Sequence, residues 1–143
     1  MRNIRHVGLV VKSIENSLKF YCDLLGLKIQ GSTNEDENFI SDIIGIKNAQ
    51  LKTLKLSADD NKTRIELIEF LSPTPNKVEK NNLNNFGLTH IALTVNNLDL
   101  IFKKLKKAGI YFNSIPKISV DGNLKVVFCK DFEGNFLELI EEL

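Results

Sequence analysis

The chain contains two histidines, and they fall at corresponding places in two similar halves. Ile4-Arg5-His6-Val7-Gly8-Leu9-Val10-Val11 opens the first half and Leu88-Thr89-His90-Ile91-Ala92-Leu93-Thr94-Val95 opens the second. Each half also closes on a related run. Ile65-Glu66-Leu67-Ile68-Glu69-Phe70-Leu71 aligns with Leu137-Glu138-Leu139-Ile140-Glu141-Glu142-Leu143, which places Glu66 against Glu138. One strand histidine alone is more often structural than a ligand, but two imidazoles and two carboxylates related by an internal repeat form the ligand set of one pseudo-symmetric metal site. Such a set of His6, Glu66, His90 and Glu138 suits a single divalent ion, with Zn, Ni, Co, Mn and Fe(II) all admissible.

These side chains need elements that aim them at one place. Residues from about 3 to 11 read as a strand, followed by a helix capped by Ser13, with Ile14, Leu18, Tyr21, Cys22 and Leu25 on one face and Gly26 as its stop. Leu27 to Gly31 reads as a second strand, and Leu51 to Leu56 pairs with Thr63 to Phe70 as a hairpin. The second half repeats this order. A strand from Gly87 to Val95 leads through the cap Asn97 to a helix carrying Leu98, Ile101, Phe102 and Leu105, which ends at Gly109. Ile110 to Ile115 is the next expected strand, and Lys125 to Cys129 pairs with Asn135 to Ile140. The expected fold is therefore α+β, with a strand, a helix and three strands in each of two modules.

Alternation along a strand then sorts the side chains. Val7, Leu9 and Val11 should pack on the helix, as should Ile91, Leu93 and Val95. His6, Glu66, His90 and Glu138 should all project from the opposite face, where Gly8 and Ala92 leave room for a ligand. Glu69 and Glu141 have the other parity, and Glu142 lies near the end. All three are expected to be solvated.

A length of 143 residues with 43% hydrophobic and 26% charged content fits one domain over residues 1–143. Its first module covers about 1–71, a linker rich in Pro, Asn and Lys covers 72–85, and the second module covers about 86–143. Net charge is +1 and the one basic run, Lys103-Lys104-Leu105-Lys106-Lys107, reads as the wet face of a helix, so no nucleic-acid footprint is expected. No apolar run has the length of a signal peptide or membrane span, and a cytoplasmic location is expected. Cys22 and Cys129 are expected to be reduced thiols without a role.

The segment from Asn34 to Asn48 breaks the symmetry. Its Phe39, Ile40, Ile43, Ile44 and Ile46 suggest a short helix after an acidic loop, either a lid over a pocket or a helix covering the core or a dimer contact.

With these residues the chain resembles the vicinal oxygen chelate superfamily, which includes glyoxalase I, methylmalonyl-CoA epimerase, extradiol dioxygenases and the fosfomycin and bleomycin resistance proteins. The resemblance runs through His6 to Val11, Ser17-Leu18-Lys19-Phe20-Tyr21, Leu25-Gly26-Leu27, Ile65-Glu66-Leu67, Thr89 to Leu93 and Asp131-Phe132-Glu133-Gly134-Asn135-Phe136-Leu137-Glu138-Leu139. It implies paired βαβββ modules curved into an open, barrel-like metal cup, with His6, Glu66, His90 and Glu138 as the ligands by similarity to glyoxalase I. Homodimerisation is also implied. Phe132 stands where the family's turn usually has Pro. The few arginines (Arg2, Arg5 and Arg64) argue against a glutathione substrate, whose carboxylates call for Arg.

Four protein ligands leave an octahedral ion two positions, enough for two adjacent substrate oxygens. The expected activity is a divalent-metal-dependent, glyoxalase I-like isomerase or lyase acting on a small carbonyl or thioester substrate. An enediolate would be stabilised while Glu66 or Glu138 moves the proton. The alternatives are a methylmalonyl-CoA epimerase-like epimerase, an extradiol-type dioxygenase, which would need a third open position, and a non-catalytic drug-binding protein.

Overall fold

A computed structural model describes residues 3–59, 62–76 and 82–143. The chain divides into two compact units, residues 1–77 and 78–143. Part of the expected linker lies outside the described residues. Both units are α+β.

In the first unit, β1 (His6–Val10) leads to α1 (Ile14–Leu18), which continues as a π-helical stretch over Lys19–Leu24. Then come β2 (Lys28–Asn34), α2 (Glu37–Ile44), β3 (Gln50–Ser57) and β4 (Arg64–Ser72). The sheet order is β1-β4-β3-β2, with β1 parallel to β4 and the other pairs antiparallel. The second unit contains β5 (His90–Thr94), α3 (Leu98–Lys107), β6 (Lys117–Ile118), β7 (Leu124–Lys130) and β8 (Phe136–Glu142). It repeats the plan as β5-β8-β7-β6, with β5 parallel to β8. Each sheet is open.

The caps act where the sequence places them. Ser13 Oγ accepts from the Asn16 amide at 3.1 Å and Asn97 Oδ1 from the Leu100 amide at 3.0 Å, satisfying donors that the first helical turn leaves over. One strand differs from expectation. Ile110 to Ile115 is not a strand; Phe112 makes a lone bridge to Cys129, and regular pairing is limited to Lys117–Ile118 against Val126 and Lys125. Pro116 supplies no amide to a ladder, so regular pairing does not run through it and this edge breaks up.

Alternation is visible in the burial. Along β1, Val7 and Leu9 are half-buried while His6, Gly8 and Val10 are exposed. Ile65, Leu67, Leu54 and Leu56 are buried in the first unit with Phe20 and Tyr21, as are Leu137, Leu139, Leu98 and Leu105 in the second. Burying one leucine side chain contributes about 1.5–3 kcal/mol, which makes the parity expensive to invert.

Glu69 and Glu141 depart from the solvated role expected of them. Glu69 Oε2 accepts from the Ile14 amide and Glu141 Oε2 from the Leu98 amide, each at 2.8 Å, both partly buried. The parity that keeps these carboxylates off the histidine face aims them at the helix N-termini, where amides and dipole favour negative charge. Glu142 is exposed, as expected. The two bonds also place α1 and α3 on the face opposite His6, Glu66, His90 and Glu138.

The extra segment does form a helix, α2, capped by Asp36 and stopped by Gly45 at φ 70. Its Ile40 is buried with Ala49 and Leu51 and packs on Ile68 and Phe70. Ile68 and Phe70 share the parity of Glu66, so α2 sits on the histidine face of the first sheet. That face is therefore not bare of helix, as the repeat alone suggests.

Candidate metal centre

Register brings each histidine to its glutamate. In the first unit, His6 pairs with Arg64 and Gly8 with Glu66, so His6 and Glu66 are diagonal neighbours on one face. In the second, His90 pairs with Phe136 and Ala92 with Glu138, giving the same diagonal. The residue facing each glutamate is the small one, Gly8 or Ala92, and a Cβ on Gly8 would already lie 3.4 Å from Ile68 Cδ1.

The outcome is two matched pairs. His6 Nε2 lies 3.3 Å from Glu66 Oε2, and His90 Nε2 lies 3.4 Å from Glu138 Oε2. Both imidazoles are 35% exposed, and the carboxylates are 12% and 22% exposed. A charge-assisted N–H···O bond is usually about 2.7–2.9 Å, shorter than either separation. A cation about 2.1 Å from both atoms would instead see adjacent ligands about 3.0 Å apart if octahedral or about 3.4 Å apart if tetrahedral. The donor types and spacing of each pair therefore fit two of the ligands of a divalent ion. Among the described residues, no three His, Cys, Asp or Glu side chains are gathered where they could hold one metal ion; the structure joins His6 with Glu66 and His90 with Glu138 as pairs.

Other side chains make the pairs unequal. Lys55, opposite Glu66 on β3, places Nζ 3.2 Å from Glu66 Oε1, leaving Oε2 towards the imidazole. The corresponding position opposite Glu138 is Phe128, whose ring meets His90 edge-on at 5.2 Å. Thr89 Oγ1 lies 2.9 Å from His90 Nδ1, which suits an Nδ1–H donor and an Nε2 left for a ligand. Arg5 stands at the equivalent position before His6. The repeat did not reveal Lys55, Phe128 or Thr89 as neighbours of the site. Strand pairing supplies the signal for the first two, since a residue opposite a candidate ligand shares its face.

Glu138 depends on the turn before β8. Asp131, buried, accepts through Oδ1 from the amides of Glu133 and Asn135 at 2.9 and 2.8 Å, and through Oδ2 from Asn135 Nδ2 at 2.9 Å. Gly134 has φ 91, a conformation glycine adopts without strain. Phe132 is accommodated in this turn without a proline. Cys129 is buried and Cys22 half-buried, both free thiols. Burial, reinforced by Asp131, pushes the Cys129 thiol up to about 12, and burial with Asp23 raises that of Cys22. Neither is an activated nucleophile.

Comparison with known proteins agrees with this architecture. The family model of the glyoxalase/bleomycin resistance protein/dioxygenase superfamily matches residues 3–139. A glyoxalase family protein from Bacillus cereus is 23% identical, with 100% of this chain and 95% of that one covered and a TM-score of 0.90. The trypanothione-dependent glyoxalase I of Leishmania major is 20% identical over 99% of this chain and 88% of its own, with a TM-score of 0.71. An antibiotic-binding protein from a Streptomyces species is 14% identical, covering 100% and 98%, with a TM-score of 0.68. No curated protein sequence matches the chain.

Proposed function

Because the chain belongs to the glyoxalase/bleomycin resistance protein/dioxygenase superfamily, we propose that it is a divalent-metal-dependent isomerase or lyase of the glyoxalase type. Its substrate is a small carbonyl or thioester compound with two adjacent oxygens. The observation that carries this is the recurrence of one His–Glu geometry, 3.3 Å and 3.4 Å, in two sheets of the same register. His6 and Glu66 from one unit and His90 and Glu138 from the other would hold the ion.

A divalent ion so held supplies Lewis acidity to two neighbouring substrate oxygens. The chain's own groups divide the remaining work. Glu66 is tied through Oε1 to Lys55, which fixes it as a holder. No lysine or arginine pairs with Glu138 among the described residues, so it is the carboxylate that takes a proton from the carbon beside the carbonyl and returns it. Thr89 orients His90, and Phe128 screens the imidazole from water on one side.

The test is hydrogen exchange in D₂O. The protein is loaded in turn with Zn, Ni, Co, Mn and Fe(II) and incubated with methylglyoxal hemithioacetals or acyl-CoA thioesters. Metal-dependent isomerisation, or deuterium at the carbon beside the carbonyl, lost in Glu138→Gln, is expected. O₂ uptake with a catechol would move the activity to ring cleavage. Tight ligand binding without exchange or turnover would leave a binding protein, as in the antibiotic-binding relative.

A further inference from the structure

The row of residues across the first sheet at His6 contains a cation whose Nε is buried without a hydrogen-bond partner among the described residues. His6 pairs with Arg64, and Arg64 pairs on its other side with Ser57, so the three side chains share the face of Glu66. Arg64 Nε and Ser57 Oγ are both buried, and neither has a hydrogen-bond partner. Ser57 is 1% exposed. No carboxylate pairs with Arg64 among the described residues, whereas the neighbouring Lys55 is taken by Glu66.

Buried donors without partners are uncommon and costly, about 1–3 kcal/mol for a neutral group and more for a charged one, so such a pair needs an explanation. The second unit shows what the same row looks like when it is satisfied. There Phe136 occupies the place of Arg64 and Lys130 that of Ser57, and the Lys130 ammonium sits 4.3 Å over the Phe136 ring. Only the first unit leaves its cation open, and it does so one residue pair from a candidate ligand.

We propose that Arg64, with the Ser57 hydroxyl beside it, receives an anionic group, carboxylate or phosphate, on the substrate. The proposal rests on the metal-dependent reading, and it narrows the substrate to an acid that carries its charge a short distance from the two oxygens. Residues two apart on a strand are separated by about 6.6 Å, a span of about five bonds, which a substrate with a two- or three-carbon chain between its chelating oxygens and its anionic oxygens covers. A guanidinium fork presents paired donors to either anion.

The probes are three hydroxamates, whose two oxygens chelate metal: acetohydroxamate, the monohydroxamate of succinate, and a phosphonate analogue of the same length. With metal-loaded protein, calorimetry should show the charged probes binding about tenfold tighter than the neutral one. The better of the two identifies the anion. Arg64→Met should reduce that ratio to about one without loss of acetohydroxamate binding, and Arg64→Lys should keep part of it. A ratio near one in the wild type, or a preference that survives Arg64→Met, overturns the proposal. A second measurement separates it from the metal reading: titration of metal-free protein with inorganic phosphate and with succinate, followed through the Arg64 Nε–Hε resonance. A saturable shift there with no hydroxamate binding keeps the anion site and removes the metal. No shift with either anion removes the site.

Discussion

Lys55 makes the two glutamates different residues in physical terms. A lysine ammonium 3.2 Å from Glu66 Oε1 stabilises the carboxylate but opposes a second, doubly charged cation nearby. Lys55→Met should therefore tighten binding of a divalent ion, by about tenfold given screened Coulomb repulsion of on the order of 1–2 kcal/mol, while Lys55→Arg should leave it near the wild-type value. Competition against a metal-binding dye measures both. Thr89→Val acts in the opposite direction: without the hydroxyl 2.9 Å from Nδ1, His90 loses its orientation, and affinity should fall about tenfold or more. Cys129 offers a check on packing that is independent of metal. With its thiol held near 12, it should resist iodoacetamide in the native protein at pH 8, where the unfolded chain, with a thiol at about its ordinary 9.0, reacts readily. Rapid native alkylation would contradict the burial.

At the scale of elements, strand parity does two jobs at once. Even-numbered positions of β4 bring Glu66 to the histidine face, and the odd-numbered Glu69 is sent to the helix, where it accepts from Ile14. Glu69→Ala and Glu141→Ala should each destabilise their unit by about 1–2 kcal/mol in urea unfolding, while Glu142→Ala should stay within about 0.5 kcal/mol. Equal effects at all three positions would contradict the capping role. This is also where reading the sequence fell short. The period-2 pattern identified which face Glu69 occupies, but a strand pattern does not reveal that a helix terminus lies above it. Strand, helix and hairpin positions were legible because Ser13, Asn97, Gly26 and Gly109 mark helix ends and apolar alternation marks the strands. The failure at Ile110 to Ile115 has a local cause in Pro116. The placement of α2 required a tertiary contact, Ile40 on Ile68 and Phe70, that no local pattern encodes. Ile40→Ala should cost about 2–4 kcal/mol, whereas Phe39→Ser, at a position 58% exposed, should leave stability nearly unchanged.

For the whole molecule, the internal repeat is the fact with the widest consequences. It made the four candidate ligands visible in the sequence, because His6 and His90, like Glu66 and Glu138, mark one position used twice. It concealed what differs between the copies: Lys55 against Phe128, Arg64 against Phe136, Ser57 against Lys130 and the presence of α2 in one unit alone. The candidate ligands are alike in the two units and their neighbours are not. Among the described residues no helix is long and apolar enough to cross a membrane. The most direct measurement is metal stoichiometry in the wild-type protein, His6→Ala and His90→Ala. One divalent ion per chain, lost when either histidine is removed, is the result expected if both pairs serve a single ion. Two ions per chain with each variant losing one, or no ion at all, would contradict it.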